Sequence, residues 1–167
     1  VGHACPQRAQ PRRQALSSGG RYAAISRAKN ELITPDTYQP PSYWHEAVAR
    51  AFARYEELKA ENNALDFDDL LLKAEQLFRQ NPEVREQYQQ RYQFVLVDEF
   101  QDTNKAQYEL ISHWAGDSHN VFVVGDEDQS IYSWRGADFR NVLRFRADFP
   151  DARVFLLERN YRSTQTV

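Results

Sequence analysis

Two short apolar segments of the chain are each followed by carboxylates, and these carboxylates are its best candidates for catalysis. Residues 94–97 are apolar and lead directly into Asp98 and Glu99. A short apolar run is enough for a buried parallel strand, and open α/β sheets bind ligands at the carboxyl ends of their strands. There, one carboxylate can hold a hydrated Mg²⁺ ion while its neighbour orients a water. The pair therefore predicts hydrolysis of a phosphoanhydride.

The second apolar segment repeats this design. Residues 121–124 predict another strand, and Gly125 permits a tight turn with a close approach of the backbone. Three carboxylates come next, and Gln129 after them can reach a phosphate or an attacking water without titrating. The three are Asp126, Glu127 and Asp128. Repetition of the pattern favours a functional site over two strands that merely end in acidic residues.

Asp102 has two interpretations that the sequence leaves open. It can belong to the acidic site, or it can cap the helix that is predicted to begin near Asn104.

Aromatic and cationic side chains follow the second acidic cluster. Tyr132 and Trp134 supply flat faces, and Arg135 beside them supplies a planar cation. Single-stranded nucleic acids bind to such surfaces, where stacking contributes about 1–3 kcal/mol per base. The alternative is that both aromatic residues belong to a hydrophobic core, and their polar surroundings weigh against it.

Three ordered segments resemble the motifs of one enzyme family. DEFQDTN at residues 98–104, GDEDQSIYSWRGAD at 125–138 and LERNYRST at 157–164 resemble motifs II, III and IV of the superfamily 1A DNA helicases, the UvrD/PcrA/Rep family. LDFDDLL at residues 65–71 resembles the segment that precedes motif II. The resemblance runs from about residue 25 to the end of the chain, and the first two dozen residues show no counterpart.

The resemblance implies roles in ATP hydrolysis. Asp98 would belong to the Mg²⁺ shell, and Glu99 would be the general base that activates water. Gln129 would sense the γ-phosphate and couple the nucleotide to DNA. Tyr161 would stack on adenine, and Arg162 would act as an arginine finger. The implied cofactors are therefore ATP and Mg²⁺.

The same resemblance implies DNA contacts and leaves one alternative. Tyr132, Trp134 and Arg135 fall where the family contacts single-stranded DNA, with Trp134 as the stacking platform. Arg162 can instead form a weak exposed ion pair with Glu158, one helical turn earlier.

The sequence departs from the family in lacking a P-loop. A P-loop closes on Gly-Lys-Ser/Thr, and no glycine in this chain is followed by lysine. We therefore expect an internal fragment of an ATP-dependent helicase that acts on single-stranded DNA and duplex junctions. Its partner would be the remainder of the motor, and the isolated chain would be inactive.

Two other functions remain possible from the residues alone. One is a metal-dependent phosphohydrolase or nuclease that uses Asp98, Glu99, Asp126 and Asp128 as two-metal ligands. The other is an inactive, truncated binding module.

Composition agrees with a globular fragment. The 167 residues are 41% hydrophobic, which is enough for one domain core. A net charge of −3 argues against nucleic-acid binding through bulk charge. The single cysteine, Cys5, excludes a disulfide within the chain. Neither a membrane-spanning segment nor a signal peptide is recognisable, so we expect a cytoplasmic protein without a membrane partner.

The elements that position these residues are predicted to be helices followed by a sheet. Strands alternate with helices at about residues 105–115 and 139–148, and a further strand is predicted at residues 153–157. The fold class is therefore α/β, with a partial RecA-like parallel sheet of the P-loop NTPase type preceded by a helical subdomain.

The resemblance also divides the chain. Residues 23–92 would be a partial 1B-like helical insertion, 93–152 the C-terminal half of motor domain 1A, and 153–167 the start of the second motor domain. Residues 1–22 are expected to be a disordered or non-homologous lead-in.

Local patterns predict how the helical part is built. Asp66 is placed to cap a helix, with Asp69 in its first turn, and Pro82 is placed to begin the next helix. Apolar residues in helical spacing predict the core. They are Val48, Ala51, Phe52, Tyr55 and Leu58 in one helix, and Leu70, Leu71, Leu72, Leu77 and Phe78 in another.

Overall fold

The computed structural model describes residues 18–126, 129, 140–159, 161 and 164. Four helices come first: α1 (Ser18–Asn30), α2 (Tyr43–Glu61), α3 (Phe67–Gln80) and α4 (Pro82–Arg91). Strand β1 (Val95–Val97), helix α5 (Lys105–Ala115), strand β2 (Val121–Val123) and helix α6 (Arg140–Asp148) follow. One-turn 3₁₀ helices lie at Phe100–Asp102 and Gly116–Ser118. The observed class is α/β, with helices ahead of a small sheet.

The two strands are parallel, as predicted from their separation by a helix. Val95 pairs with Val121 and Val97 with Val123, so the strands end side by side. Their valines pack on Phe100, Tyr108 and Ile111, which form the core of this half together with Val142 and Phe145. Leu96 and Phe122 point to the opposite face and are 74% and 56% exposed. In the described part of the chain the sheet therefore has one covered face.

A separate apolar core joins the first two helices. Ile25 and Ala28 of α1 pack against Val48 and Phe52 of α2, and all four are buried. The predicted helical spacing of α2 is confirmed for Val48 and Phe52, whereas Leu58 is 41% exposed.

Helix α3 begins with a pair of reciprocal side-chain to backbone hydrogen bonds. The Asp66 carboxylate accepts a hydrogen bond from the Asp69 backbone N–H, and the Asp69 side chain accepts one from the Asp66 N–H. This capping box confirms the predicted N-cap. Pro82 begins α4, also as predicted.

The predicted core of α3 is wrong in part. Leu72 and Phe78 are buried, but Leu70 and Leu77 are 56% and 46% exposed. The inward positions of this helix also hold Asp69 and Glu75, which are buried. Charged residues therefore occupy part of the helix face that was predicted to be apolar from the spacing of its leucines.

Two lysine ammonium groups are buried among three carboxylates at the centre of the helical part. Lys29 of α1 lies 2.7 Å from Asp66 and 2.6 Å from Asp69, with no exposed side-chain surface. Lys59 of α2 lies 2.7 Å from Glu56 and also contacts Asp69. We refer to these five residues as the charge cluster. Removing one partner would leave an uncompensated buried charge, which destabilises the fold, so the charge cluster favours the observed arrangement of α1, α2 and α3.

Hydrogen bonds shift the ionisation of the charge cluster. Burial opposes ionisation of Asp66, but bonds from Lys29, the Asp69 N–H and Tyr55 lower the pKa of Asp66 to about 2. Burial and the bond that Tyr55 donates to Asp66 raise the pKa of Tyr55 to about 12. Burial alone would lower the pKa of Lys59, but bonds to Asp69 and Glu56 raise it above its usual value.

The structure corrects one predicted boundary and one predicted strand. Helix α1 begins at Ser18, so the end of the lead-in at residues 1–22 is helical. The strand predicted at residues 153–157 is absent: these described residues are exposed and pair with no strand. Strand formation needs a partner backbone, and the described sheet ends at β1 and β2.

Replacing Asp66 by Asn should make stability less sensitive to acid. Because the folded-state pKa of Asp66, about 2, lies below the ordinary 3.8, its ionised form stabilises the fold above pH 3.8, and this contribution disappears as the pH falls through 2. We expect Asp66→Asn to lower the free energy of unfolding by about 2 kcal/mol at neutral pH. The deficit should close toward pH 2 in urea titrations.

Asp36→Asn is the matched control for this experiment, because Asp36 is an exposed carboxylate. It should change stability by no more than about 0.5 kcal/mol at any pH. A deficit for Asp66→Asn that stays constant from pH 7 to pH 2 would contradict the assigned charge interaction.

Candidate active site

The two predicted acidic tips lie next to each other because their strands are parallel and in register. Asp98 and Glu99 follow Val97, and Gly125 and Asp126 lie beyond Val123 of the neighbouring strand. The backbone N–H of Phe100 donates to the Val124 carbonyl at 2.9 Å, which continues the pairing past the strand ends. The structure therefore places Asp98, Glu99 and Asp126 at the ends of adjacent strands.

Glu99 has an unusual backbone conformation. Its φ of 51° and ψ of 41° are left-handed, a region that side chains other than glycine rarely occupy. The Asp98 carboxylate accepts a hydrogen bond from the Glu99 N–H at 2.9 Å, closing a tight turn at the strand end. Such strain costs about 1–3 kcal/mol and is concentrated at functional sites. Both carboxylates are exposed, as a ligand-binding group must be.

A buried glutamine that is not among the residues predicted from the sequence joins the two tips. Gln101 is 2% exposed, donates from Nε2 to Glu99 Oε2 at 2.8 Å, and accepts at Oε1 from the Asp126 N–H at 3.0 Å. The signal that could have identified it is its place two residues beyond Glu99, in a segment otherwise interpreted only through its carboxylates.

The loop that carries Gln101 is held by two helices. Asn141 of α6 donates from Nδ2 to the Thr103 carbonyl at 2.9 Å. Asn104 caps α5 in a capping box with Gln107, and its Nδ2 donates to Asn30 Oδ1 of α1 at 2.5 Å. The interpretation of Asp102 as the helix cap is therefore wrong, because Asn104 occupies that position.

Three of the predicted nucleotide residues are described besides Asp98. Glu99 lies at the tip, and Gln129 donates from both its backbone and its side chain to Asp126. Tyr161 is 82% exposed, and the guanidinium of Arg159 lies 5.0 Å from its ring centroid. No hydrogen bond or ring contact among the described residues connects Tyr161 to the acidic tips.

The other predicted site residues lie outside the described residues. They are Glu127 and Asp128 in the second acidic cluster, Tyr132, Trp134 and Arg135 in the expected DNA segment, and Arg162 as the expected arginine finger.

The donors at the tips fit one Mg²⁺ ion with a nucleotide phosphate. Mg²⁺ takes one or two protein carboxylates and completes its shell with water and phosphate oxygens, and Asp98 offers an exposed carboxylate at a strand end. Within the described residues, no three His, Cys, Asp or Glu side chains are grouped for binding a metal ion. Nor does any described helix have the length and apolarity to span a membrane.

Comparison with known proteins gives consistent similarities. The family described as UvrD/REP helicase N-terminal domain matches residues 5–150. The match extends into residues 5–22, where the sequence analysis expected no counterpart.

Bacterial relatives named ATP-dependent DNA helicase PcrA align with most of the chain. The relative from Staphylococcus aureus is 50% identical over 146 residues, covering 86% of this chain and 20% of the relative. Those from Bacillus subtilis and Staphylococcus epidermidis are each 48% identical, with the same coverage. The chain thus spans about a fifth of the length of the curated relatives it matches.

Close packing between the tips makes Gly125 and Gln101 interdependent. A Cβ atom at position 125 would lie 2.9 Å from Gln101 Oε1. We expect Gly125→Ala to lower the free energy of unfolding by about 1–3 kcal/mol, because the added methyl overpacks the junction. In a Gln101→Ala background the same change should cost less than about 1 kcal/mol. A double-mutant cycle by chemical denaturation measures this difference, and equal costs in both backgrounds would contradict the assigned contact.

Proposed function

This chain belongs to the UvrD/REP helicase N-terminal domain family, and from that premise we propose that it is part of the motor of an ATP-dependent DNA helicase. The motor would couple ATP hydrolysis to translocation on single-stranded DNA and to unwinding at duplex junctions. The observation that carries the proposal is the pairing of two strand tips, with Asp98 and Glu99 on one and Asp126 on the other, bridged by Gln101.

The proposed architecture is a partial RecA-like sheet with an inserted helical subdomain. The parallel pairing of β1 with β2 across α5, behind four helices, supports this arrangement. We further propose that the three family motifs, II, III and IV, divide the chain as the resemblance implies. The remainder of the motor, including a P-loop, would come from sequence that this chain does not contain.

The proposed chemistry assigns one task to each described side chain. When bound, Mg²⁺ supplies charge stabilisation at the β- and γ-phosphates. Asp98, at the end of β1, would hold the ion. Glu99 takes a proton from the attacking water, with its carboxylate fixed by Gln101. Gln129, which donates a hydrogen bond to Asp126, would contact the γ-phosphate.

The proposed DNA contacts lie in the segment directly after Gln129. Tyr132, Trp134 and Arg135 would contact single-stranded DNA, with Trp134 stacking on a base. Tyr161 and Arg162 would contact the nucleotide as adenine platform and arginine finger. The proposed setting is cytoplasmic, where bacterial chromosomal DNA is found, and a repair role is consistent with the family.

These proposals can be tested in a motor chimera. We define it as the Staphylococcus aureus relative in which the segment matching this chain is replaced by this chain's residues. It supplies the parts of the motor that the 167 residues lack.

In the motor chimera, Glu99→Gln should strongly reduce ATP turnover without preventing Mg²⁺·ATP binding. The amide keeps the shape of the side chain but cannot accept the proton, and a general base contributes a factor of about 10²–10⁴ in rate. Asp98→Asn should instead raise the Mg²⁺ concentration required. Steady-state hydrolysis and nucleotide-binding titrations separate the two.

Two controls accompany this experiment. Glu57→Gln alters an exposed carboxylate of α2 and should leave turnover unchanged. The isolated 167-residue chain should show no DNA-stimulated hydrolysis, because it has no Gly-Lys pair to hold the phosphates. Wild-type turnover by Glu99→Gln would remove Glu99 from the role of base.

Trp134→Ala in the motor chimera should weaken single-strand binding by about 1–3 kcal/mol, the value of one base stacked on an aromatic ring. It should also reduce the stimulation of ATP hydrolysis by DNA. Anisotropy of a labelled oligonucleotide measures the affinity. Tyr43→Ala is the control, since Tyr43 is an aromatic residue of α2 that is 83% exposed. Unchanged affinity and stimulation for Trp134→Ala would assign Trp134 to a structural role.

A further inference from the structure

Gln101 lies where the two strand tips meet, and the direction of its amide can be deduced. The Asp126 backbone N–H can only donate, so the atom 3.0 Å from it must be the carbonyl oxygen of Gln101. The amide NH₂ group therefore faces Glu99 Oε2, at 2.8 Å. A carboxylate oxygen accepts there, so each contact supports the same orientation.

The contact holds one particular oxygen of Glu99. The strained left-handed backbone of Glu99 directs its side chain, and the Gln101 amide fixes one carboxylate oxygen. Among the described residues no other group donates to this carboxylate. The second oxygen is thereby left to accept a hydrogen bond from a ligand or water.

The carbonyl oxygen of the Gln101 side chain contacts the second tip. Its Oε1 is bound by the N–H of Asp126, whose carboxylate in turn accepts from Gln129. The approach is close: a Cβ atom at position 125 would lie 2.9 Å from Gln101 Oε1. A shift of the second tip would therefore break the hydrogen bond at Oε1 or reorient the amide group that holds Glu99.

We infer that Gln101 is a positioning residue that orients the Glu99 carboxylate according to the position of the Asp126 tip. This inference rests on the proposed role of Glu99 as general base. The burial of Gln101, at 2% exposure, keeps water from substituting for either contact. The catalytic geometry of the first tip thereby depends on the loop that carries Gln129.

The test uses two substitutions in the motor chimera. Gln101→Met keeps the length and removes both hydrogen bonds. Gln101→Glu keeps an acceptor for the Asp126 N–H but turns a second carboxylate oxygen toward Glu99. We expect both to lower kcat by about ten- to hundredfold, as is typical when a supporting hydrogen bond is lost. KM for ATP should change less than about threefold, because the substitutions do not alter ground-state binding.

Gln107→Met is the matched control, because Gln107 is also a glutamine that accepts from a backbone N–H in the same loop-helix segment. It should reduce stability through loss of the capping box while leaving kcat unchanged. A comparable fall in kcat for Gln107→Met would show that destabilisation of the loop explains the effect, and would overturn the inference.

A double-mutant cycle separates this inference from the proposed function. If Gln101 acts through Glu99, Gln101→Met should have no further effect on the single-turnover rate once Glu99 is Gln. Multiplicative losses would overturn the inference, as would wild-type kcat for Gln101→Glu. If Glu99→Gln alone left turnover unchanged, the proposed base itself would fail. That failure would appear in Glu99→Gln alone, whereas failure of the inference would appear in the Gln101 variants.

Discussion

The burial of Lys29 and Lys59 among Asp66, Asp69 and Glu56 is the constraint on which the helical half depends. Each ammonium is stable away from water only while the carboxylates of neighbouring helices surround it. Asn30, which follows Lys29 in α1, accepts a hydrogen bond from Asn104, the N-cap of α5. The charge cluster is therefore connected to the loop after β1.

That loop then determines the geometry of the candidate site. Thr103 is held by Asn141, Asn104 by Asn30, and Gln101 by the facing tip. With these anchors in place, Glu99 can persist in a left-handed conformation that is unfavourable in isolation. The hydrogen bonds that join α1 and α6 to this loop thus help to offset the cost of the strained Glu99 backbone.

Local signals made much of this fold predictable. Residues 105–115 were predicted as a helix and form α5, Asp66 and Pro82 begin helices as expected, and the parallel strands follow from apolar runs separated by a helix. Long-range pairing was not predictable in this way. Lys29 meets Asp66 across 37 residues, and nothing in the local pattern of α1 marks it as buried. Leu70, Leu77 and residues 153–157 were misassigned because hydrophobicity does not specify which surface finds a partner. At the site, strand-tip carboxylates carry a recognisable pattern, whereas a bridging amide such as Gln101 is evident only when two tips are seen together.

Trp114 gives the molecule an internal optical reporter. It lies on α5 beside Phe78 of α3, with ring centroids 6.1 Å apart, and its indole nitrogen is buried. An indole shielded from water emits at shorter wavelengths, so its emission should respond when α3 separates from α5. Trp44 lies in the other core, beside His45, and would respond to a different event. Replacing Trp44 or Trp114 would thus allow the separation of α3 from α5 and the loosening of the α1–α2 core to be followed separately by emission wavelength.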